Sequence, residues 1–111
     1  VFLQHAATGL QHKHPLVRHY ACRMIATLRL PDGVTLLAGV LKKDPEPSVR
    51  RAAIKGLVRY GSDPVITAPL IEAVGDKDLS VSVCAHEALE TLTGKKGLVR
   101  RVEEWRKAAA R

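Results

Sequence analysis

The amino-acid sequence predicts an all-α solenoid that consists of three helical hairpins and a C-terminal capping helix. One apolar pattern with helical spacing occurs three times, and Val17, Val49 and Val81 mark it at intervals of 32 residues. Hydrophobic residues make up 46% of the chain but aromatic residues only 4%, so aliphatic side chains must form the core. A hairpin of this length cannot bury its apolar side alone, and successive hairpins must therefore stack on one another.

The second helix of each hairpin carries the repeated pattern most clearly. Its three copies are PLVRHYACRMIATL, PSVRRAAIKGLVRY and LSVSVCAHEALETL, which begin at residues 15, 47 and 79. Steps of four, four and three residues place the shared apolar positions on one side of a helix. We expect the following positions to be buried: Val17, Val49 and Val81; Ala21, Ala53 and Ala85; Ile25, Leu57 and Leu89; Leu28, Tyr60 and Leu92.

A first helix precedes each of these copies. Its apolar residues are Leu3, Ala6, Ala7 and Leu10 in the first hairpin, Leu36, Leu37, Val40 and Leu41 in the second, and Val65, Ile66, Leu70, Ala73 and Val74 in the third. Polar loops separate the two helices, and there Asp44 or Asp76 and the prolines end one helix and begin the next. The hairpins are predicted to cover about residues 2–30, 32–61 and 64–93.

The C-terminal segment is predicted to form one more helix. The stretch TGKKG breaks the third hairpin, and Gly94 lies where a helix cap belongs. Leu98, Val102 and Trp105 then share one face of a helix over about residues 97–110, which either caps the open end or begins a fourth repeat. Residues 1–111 would form a single domain, and the first residues resemble a helix interior, so we expect a segment of a larger protein.

The loop and second helix together resemble a known repeat. DPEPSVRRAAIKGL, which begins at Asp44, and DKDLSVSVCAHEAL, which begins at Asp76, are similar to the short HEAT-like repeats also found in phycobilin lyase subunits. The resemblance implies a right-handed solenoid in which Arg18 and Arg50 tie adjacent hairpins through the loop aspartates, with Ser82 in the equivalent third position. It implies no single activity, because such repeats serve as scaffolds, chaperones, nucleic-acid binders and a few enzymes.

Composition limits the classes of partner. The formal net charge of +7 and the pI near 9.9 favour acidic protein surfaces, nucleic acid or anionic headgroups. No apolar run reaches the roughly 18 residues of a membrane span, so no spanning helix is expected, and a membrane is not among the predicted partners. Cys22 and Cys84 belong to hairpins two layers apart, too far for a disulfide, and free thiols favour a reducing, cytoplasmic location.

The sequence indicates no catalytic, metal or cofactor site. His5, His12, His14 and His19 are close in sequence, but no carboxylate precedes Asp32 and no complete zinc ligand set is visible. His86-Glu87 is similar to the His-Glu pairs that hold iron in deoxyhypusine hydroxylase. However, it follows the repeat alanine, whereas those pairs precede it. We therefore expect a protein that is not an enzyme.

The remaining basic residues form a row on the second helices. Arg51, Lys55 and Arg59 are spaced by four residues on the side opposite the apolar stripe, with no acidic residue between 48 and 62. The same columns of the first hairpin hold His19 and Arg23. The resemblance would place all five residues in one concave groove, without a charged partner, which makes them the predicted partner-binding residues.

Two functions from different classes follow. The first is a monomeric, non-catalytic scaffold whose basic concave face binds an acidic protein segment. The alternative is a nucleic-acid binding module in which the same residues contact phosphates. The groove columns contain no aromatic residue, so base stacking and the chemistry of the HEAT-like alkylpurine DNA glycosylases lack support. Bilin lyase activity is a third possibility, for which no residue is specific.

Overall fold

A computed structural model describes residues 2–110, with side chains from His5 to Ala110. These residues contain seven helices and no strand: α1 (Phe2–Leu10), α2 (Pro15–Leu28), α3 (Gly33–Lys43), α4 (Pro47–Val58), α5 (Pro64–Ala73), α6 (Leu79–Thr93) and α7 (Val102–Ala110). The prediction of an all-helical fold is therefore confirmed. The side chain of Leu3, one of the predicted apolar residues of the first helix, is not among those described. Val1 and Arg111 lie outside the described residues.

The helices form two layers. Consecutive helices pack in pairs, α1 with α2, α3 with α4 and α5 with α6. The even-numbered helices α2, α4 and α6 also pack side by side, and α3 packs against α5. The molecule is elongated, with extents of 40 × 25 × 16 Å, as a helical solenoid requires.

The core follows the repeated apolar positions in the second and third copies, except that Tyr60 and Leu92 are only half-buried. Val49, Leu57, Val81 and Leu89 are all 0% exposed. In the first copy Ala21 and Ile25 are also buried, but Val17 is 38% and Leu28 is 46% exposed. The expectation that these two residues are buried is wrong, because among the described residues no helix covers the outer side of α2.

Local chemistry explains where the helices begin and end. Pro15, Pro47 and Pro64 occupy first-turn positions, where their lack of an N–H costs no hydrogen bond. His14, Asp63 and Asp78 cap α2, α5 and α6 by accepting backbone N–H groups two residues further on.

The last helix is shorter than the sequence predicts. Gly94, with φ of 73°, ends α6, and Gly97, with φ of 84°, turns the chain again. Both values lie in the left-handed region that favours glycine. Residues 98–101 are irregular, and α7 begins only at Val102 rather than near residue 97.

Two buried ion pairs join successive loops. Arg18 on α2 donates from Nε and Nη2 to the Asp44 carboxylate at 2.8 and 3.2 Å. Arg50 on α4 donates in the same way to Asp76 at 2.9 and 3.0 Å. The Nη1 atom of each arginine donates to a loop carbonyl of its own helix pair, that of His12 or of Asp44. The two-pronged geometry aligns each loop with the next.

The third pair of helices is held differently. Ser82 stands where α2 and α4 carry the arginine, and its hydroxyl donates to the Val74 carbonyl and accepts from Arg100. Trp105 on α7 is 1% exposed, and its indole N–H donates to His86 Nδ1 at 2.9 Å. The C-terminal helix thus packs against α5 and joins α6 through a buried aromatic ring.

Candidate interaction surface

A furrow between α2 and α4 collects most of the predicted partner-binding residues. His19 and Arg23 on α2 line one wall, and Lys55 and Arg59 on α4 line the other. Small residues form its floor, namely Ala26, Ala52 and Gly56. We call this surface the basic furrow. Its depth follows from the sequence, because small floor residues leave the four longer side chains standing above them.

The basic side chains of the furrow form no ion pair with any described residue. Arg23, Lys55 and Arg59 are exposed and His19 is half-buried. Within residues 5–110, no ion pair or carboxylate hydrogen bond reaches any of these four side chains. Arg23 lies 5.9 Å from the centre of the Tyr20 ring, at the margin of the furrow. The surface therefore presents three exposed cations, Arg23, Lys55 and Arg59, that form no ion pair within the described residues.

Arg51 is placed differently from the other predicted residues. Its guanidinium donates to the Ser80 hydroxyl at the start of α6, and Ser80 in turn donates to Asp78. Hydrogen bonds from Ser80 and the backbone, together with the nearby Arg51 charge, lower the pKa of Asp78. Sequence spacing within α4 does not show this contact, because it is α6 that brings Ser80 and Asp78 near Arg51.

The neighbouring furrow, between α4 and α6, has mixed charge. Arg51 and Lys55 face Asp78 and Glu87 across it. Glu90 lies further along α6, with a carboxylate oxygen 3.6 Å from His86 Nε2. The furrow between α2 and α4 contains no acidic lining residue, so Asp78 and Glu87 distinguish the two surfaces.

The thiols are poorly suited to nucleophilic catalysis. Cys22 is 0% exposed, and burial, followed by the nearby Asp44 charge, raises its pKa to about 12. Burial also raises the pKa of Cys84, although Lys55 and Arg51 oppose that effect. A thiol that stays protonated near neutral pH is a weak nucleophile. Within the described part of the chain, no cluster of three or more His, Cys, Asp or Glu residues could hold a metal ion.

An exposed apolar surface on α2 was not anticipated from the sequence. Leu16, Tyr20, Met24 and Leu28 follow one another at spacings of four residues, and each is about half exposed. A signal for it was present: Tyr20 and Met24 align with Ala52 and Gly56 on α4 and with Cys84 and Ala88 on α6. The side chains at these two positions are larger on α2 than on α4 and α6, whereas the helical spacing is the same in all three helices.

Comparisons with known proteins give information about the fold and none about the basic furrow. The family model described as HEAT repeats matches residues 3–93. The comparison with curated proteins found no match. Across residues 2–110, none of the helices combines the length and the apolar character needed to cross a membrane.

Proposed function

We propose that this chain, which belongs to the HEAT-repeat family, is a non-catalytic scaffold that binds an acidic protein segment along the basic furrow. HEAT repeats commonly mediate interactions between proteins, and stacked repeats offer extended surfaces for that purpose. The proposal concerns the furrow lined by His19, Arg23, Lys55 and Arg59. Arg51 lies beside the proposed site, where it donates to Ser80 in the neighbouring furrow between α4 and α6.

The single observation that carries this proposal is that, within residues 5–110, the furrow's four basic side chains form no ion pair. Like charges at neighbouring positions repel one another, so an anionic ligand would relieve a cost that the free protein bears. The small floor residues leave room for a backbone to approach. An acidic peptide would gain both charge complementarity and contact area there.

A binding assay with an acidic peptide tests the proposal. The probe is a fluorescently labelled synthetic peptide of alternating Glu and Ala residues, followed by anisotropy at low salt. We expect the double variant Lys55→Glu/Arg59→Glu to weaken binding by about tenfold or more, since it reverses two charges. Lys42→Glu/Lys43→Glu, with the same change of net charge on α3, is the matched control and should have much less effect.

The same experiment can overturn the proposal. Equal losses in the α4 and α3 double variants would mean that the peptide responds to net charge and not to the furrow. No binding to the wild-type protein at low salt would also contradict it. Circular dichroism must remain helical in both variants, which is expected because all four lysine and arginine side chains are exposed.

Nucleic acid is the second candidate partner, and one observation favours it. The exposed Tyr20 ring lies at the furrow margin beside Arg23, where it could contact a base while the cations contact phosphates. Titration of a random duplex and a random single strand at increasing salt distinguishes the candidates. A steep fall of affinity with salt that Arg23→Ala and Lys55→Ala flatten would favour nucleic acid over the acidic segment.

A further inference from the structure

The outer side of α2 carries a continuous apolar surface, which we call the N-terminal face. It consists of Leu16, Tyr20, Met24 and Leu28, which are 54%, 57%, 53% and 46% exposed. Val17, at 38%, widens it near the start of the helix. Twelve residues of α-helix span about 18 Å, so the face matches a partner helix of three or more turns. Contiguous exposed apolar surface of this kind marks interaction sites.

The N-terminal face differs from the surfaces that bury one helix of the stack against the next. At the positions equivalent to Tyr20 and Met24, α4 has Ala52 and Gly56, and α6 has Cys84 and Ala88. The interior position is tightly packed: a Cβ at Gly56 would lie 2.9 Å from Leu37 Cδ1 and 3.3 Å from Ala26 Cβ. Side chains as large as Tyr and Met would not fit a stack of the same spacing.

The loop chemistry at this end also departs from the repeat. Asp44 and Asp76 each receive an arginine from the preceding even-numbered helix, but the equivalent loop position in the first pair is His12. His12 keeps the local turn by accepting the His14 N–H at 3.0 Å, just as Asp44 and Asp76 each accept the N–H of the residue two positions further on. It lacks the carboxylate that would hold an arginine from another pair of helices.

The charge around the N-terminal face is positive throughout. Residues 1–31 contain no Asp or Glu. Arg23 borders Tyr20, Arg29 follows the end of α2, and both are exposed without an ion pair in the described residues. A second copy of this chain would bring another net charge of +7 against the same cations, which disfavours self-association through this face.

We propose that the N-terminal face binds an amphipathic helix of another protein, whose apolar stripe packs on Leu16, Tyr20, Met24 and Leu28 and whose flanking carboxylates pair with Arg23 and Arg29. Anchors at steps of about one turn suit helix-against-helix recognition. Met24 at the centre is flexible and adapts to different apolar partners. This site is separate from the floor and the α4 wall of the basic furrow, with which it shares only Arg23.

Two synthetic peptides test the inference. Both are 18-residue amphipathic sequences with Leu at positions i, i+3, i+4 and i+7; one has Glu along the flanks and the other has Lys. Isothermal titration gives affinity, and amide chemical shifts locate binding. We expect the Glu peptide alone to bind and to shift resonances of α2. We also expect Met24→Glu to weaken binding about tenfold or more, because it places a carboxylate in the centre of the face.

Two control variants keep the result specific. Val65→Glu makes the same kind of change at a 62% exposed apolar residue of α5, away from the face, and should leave the affinity unchanged. Lys55→Glu should also leave it unchanged, which distinguishes failure here from failure of the basic-furrow proposal. Met24 is half exposed, so its variant should remain folded by circular dichroism.

Several outcomes would overturn the inference. They are equal affinity for the Glu and Lys peptides, no binding of either, and amide shifts on α4 and α6 in place of α2. Dimerisation of the wild-type protein that Met24→Glu abolishes, measured by sedimentation, would replace the proposed partner helix by a second copy.

Discussion

The C-terminal helix α7 and the outer side of α2 contrast in how far their apolar side chains are buried. At the C-terminal end, α7 places Trp105 in the core, joins it to His86 and positions the preceding loop so that Arg100 reaches Ser82. At the N-terminal end, α2 leaves Tyr20 and Met24 in solvent. Among the described residues, α7 therefore covers one outer side of the repeat framework, whereas the outer side of α2 presents an apolar helix face.

The largest expected contrast concerns the thiols of the two ends. Burial raises the pKa of Cys22 to about 12 from the ordinary value of 9.0. At pH 8 its thiolate fraction should be about a thousandfold below that of a free thiol, and its labelling correspondingly slow. Cys84, whose pKa burial also raises, is partly accessible and should react first with iodoacetamide, as mass spectrometry would show.

The Cys22 thiol also makes folding stability depend on pH, with a definite sign. Protonation is favoured in the folded state, so the Cys22 contribution to stability is present below the unfolded pKa and is lost as pH rises toward 12. Cys22→Ser should therefore reduce the loss in the free energy of unfolding that occurs as pH rises toward 12. Equal labelling of both thiols at pH 8 would mean that the N-terminal end opens readily and that the contrast is one of stability.

Removal of the Trp105 ring should be the most destabilising substitution. Trp105→Ala leaves a cavity beneath α7 and an unpaired His86 acceptor, and a loss of about 4 kcal/mol in the free energy of unfolding is expected. Urea denaturation followed by circular dichroism measures it. Trp105→Phe should recover most of the loss. A change below about 1 kcal/mol would show that α7 contributes little to the closed end.

Breaking one of the buried ion pairs should cause the next largest loss in the free energy of unfolding. Asp76→Ala leaves Arg50, which is 4% exposed, without its carboxylate, and about 3 kcal/mol of stability should be lost. The double variant Arg50→Met/Asp76→Leu removes both charges and should be clearly more stable than Asp76→Ala. If the single and double variants unfold at the same urea concentration, the pair does not act as a unit.

The smallest effect is expected on the N-terminal face. Met24→Ser removes apolar surface that is already 53% exposed and should change the free energy of unfolding by no more than about 0.5 kcal/mol. Trp105→Ala, measured in the same denaturation series, is the comparison. A loss of 2 kcal/mol or more for Met24→Ser would mean that Met24 packs within the fold, and the two ends would then be alike.

Periodic features of this protein could be predicted from the sequence, and contacts between distant segments could not. The stripe that contains Val49 and Leu57 is visible because burial on one side of a helix imposes a spacing. The family resemblance pointed to the partners of Arg18 and Arg50, and the structure shows those contacts. The bond from Arg51 to Ser80 joins residues 29 apart and follows no local rule.

The exposure of α2 was missed for a related reason. Val17 and Leu28 match the buried positions of the other copies, and only the absence of a covering helix among the described residues exposes them. A repeat pattern records what a position needs in the interior of a stack. It does not record whether a given copy lies at the end, although the large side chains of Tyr20 and Met24 hinted at it.

The hydrogen bonds along the loops have a mechanical consequence. Asp44 receives Arg18 through its carboxylate and Arg50 through its carbonyl, so an unbroken series of bonds runs from the His12 carbonyl to Asp76. No side-chain hydrogen bond joins His19 or Arg23 to Lys55 or Arg59, among the residues described. The loop edge should therefore be stiff and the opposite edge flexible. The basic furrow can then widen or narrow around a ligand while the loops stay fixed.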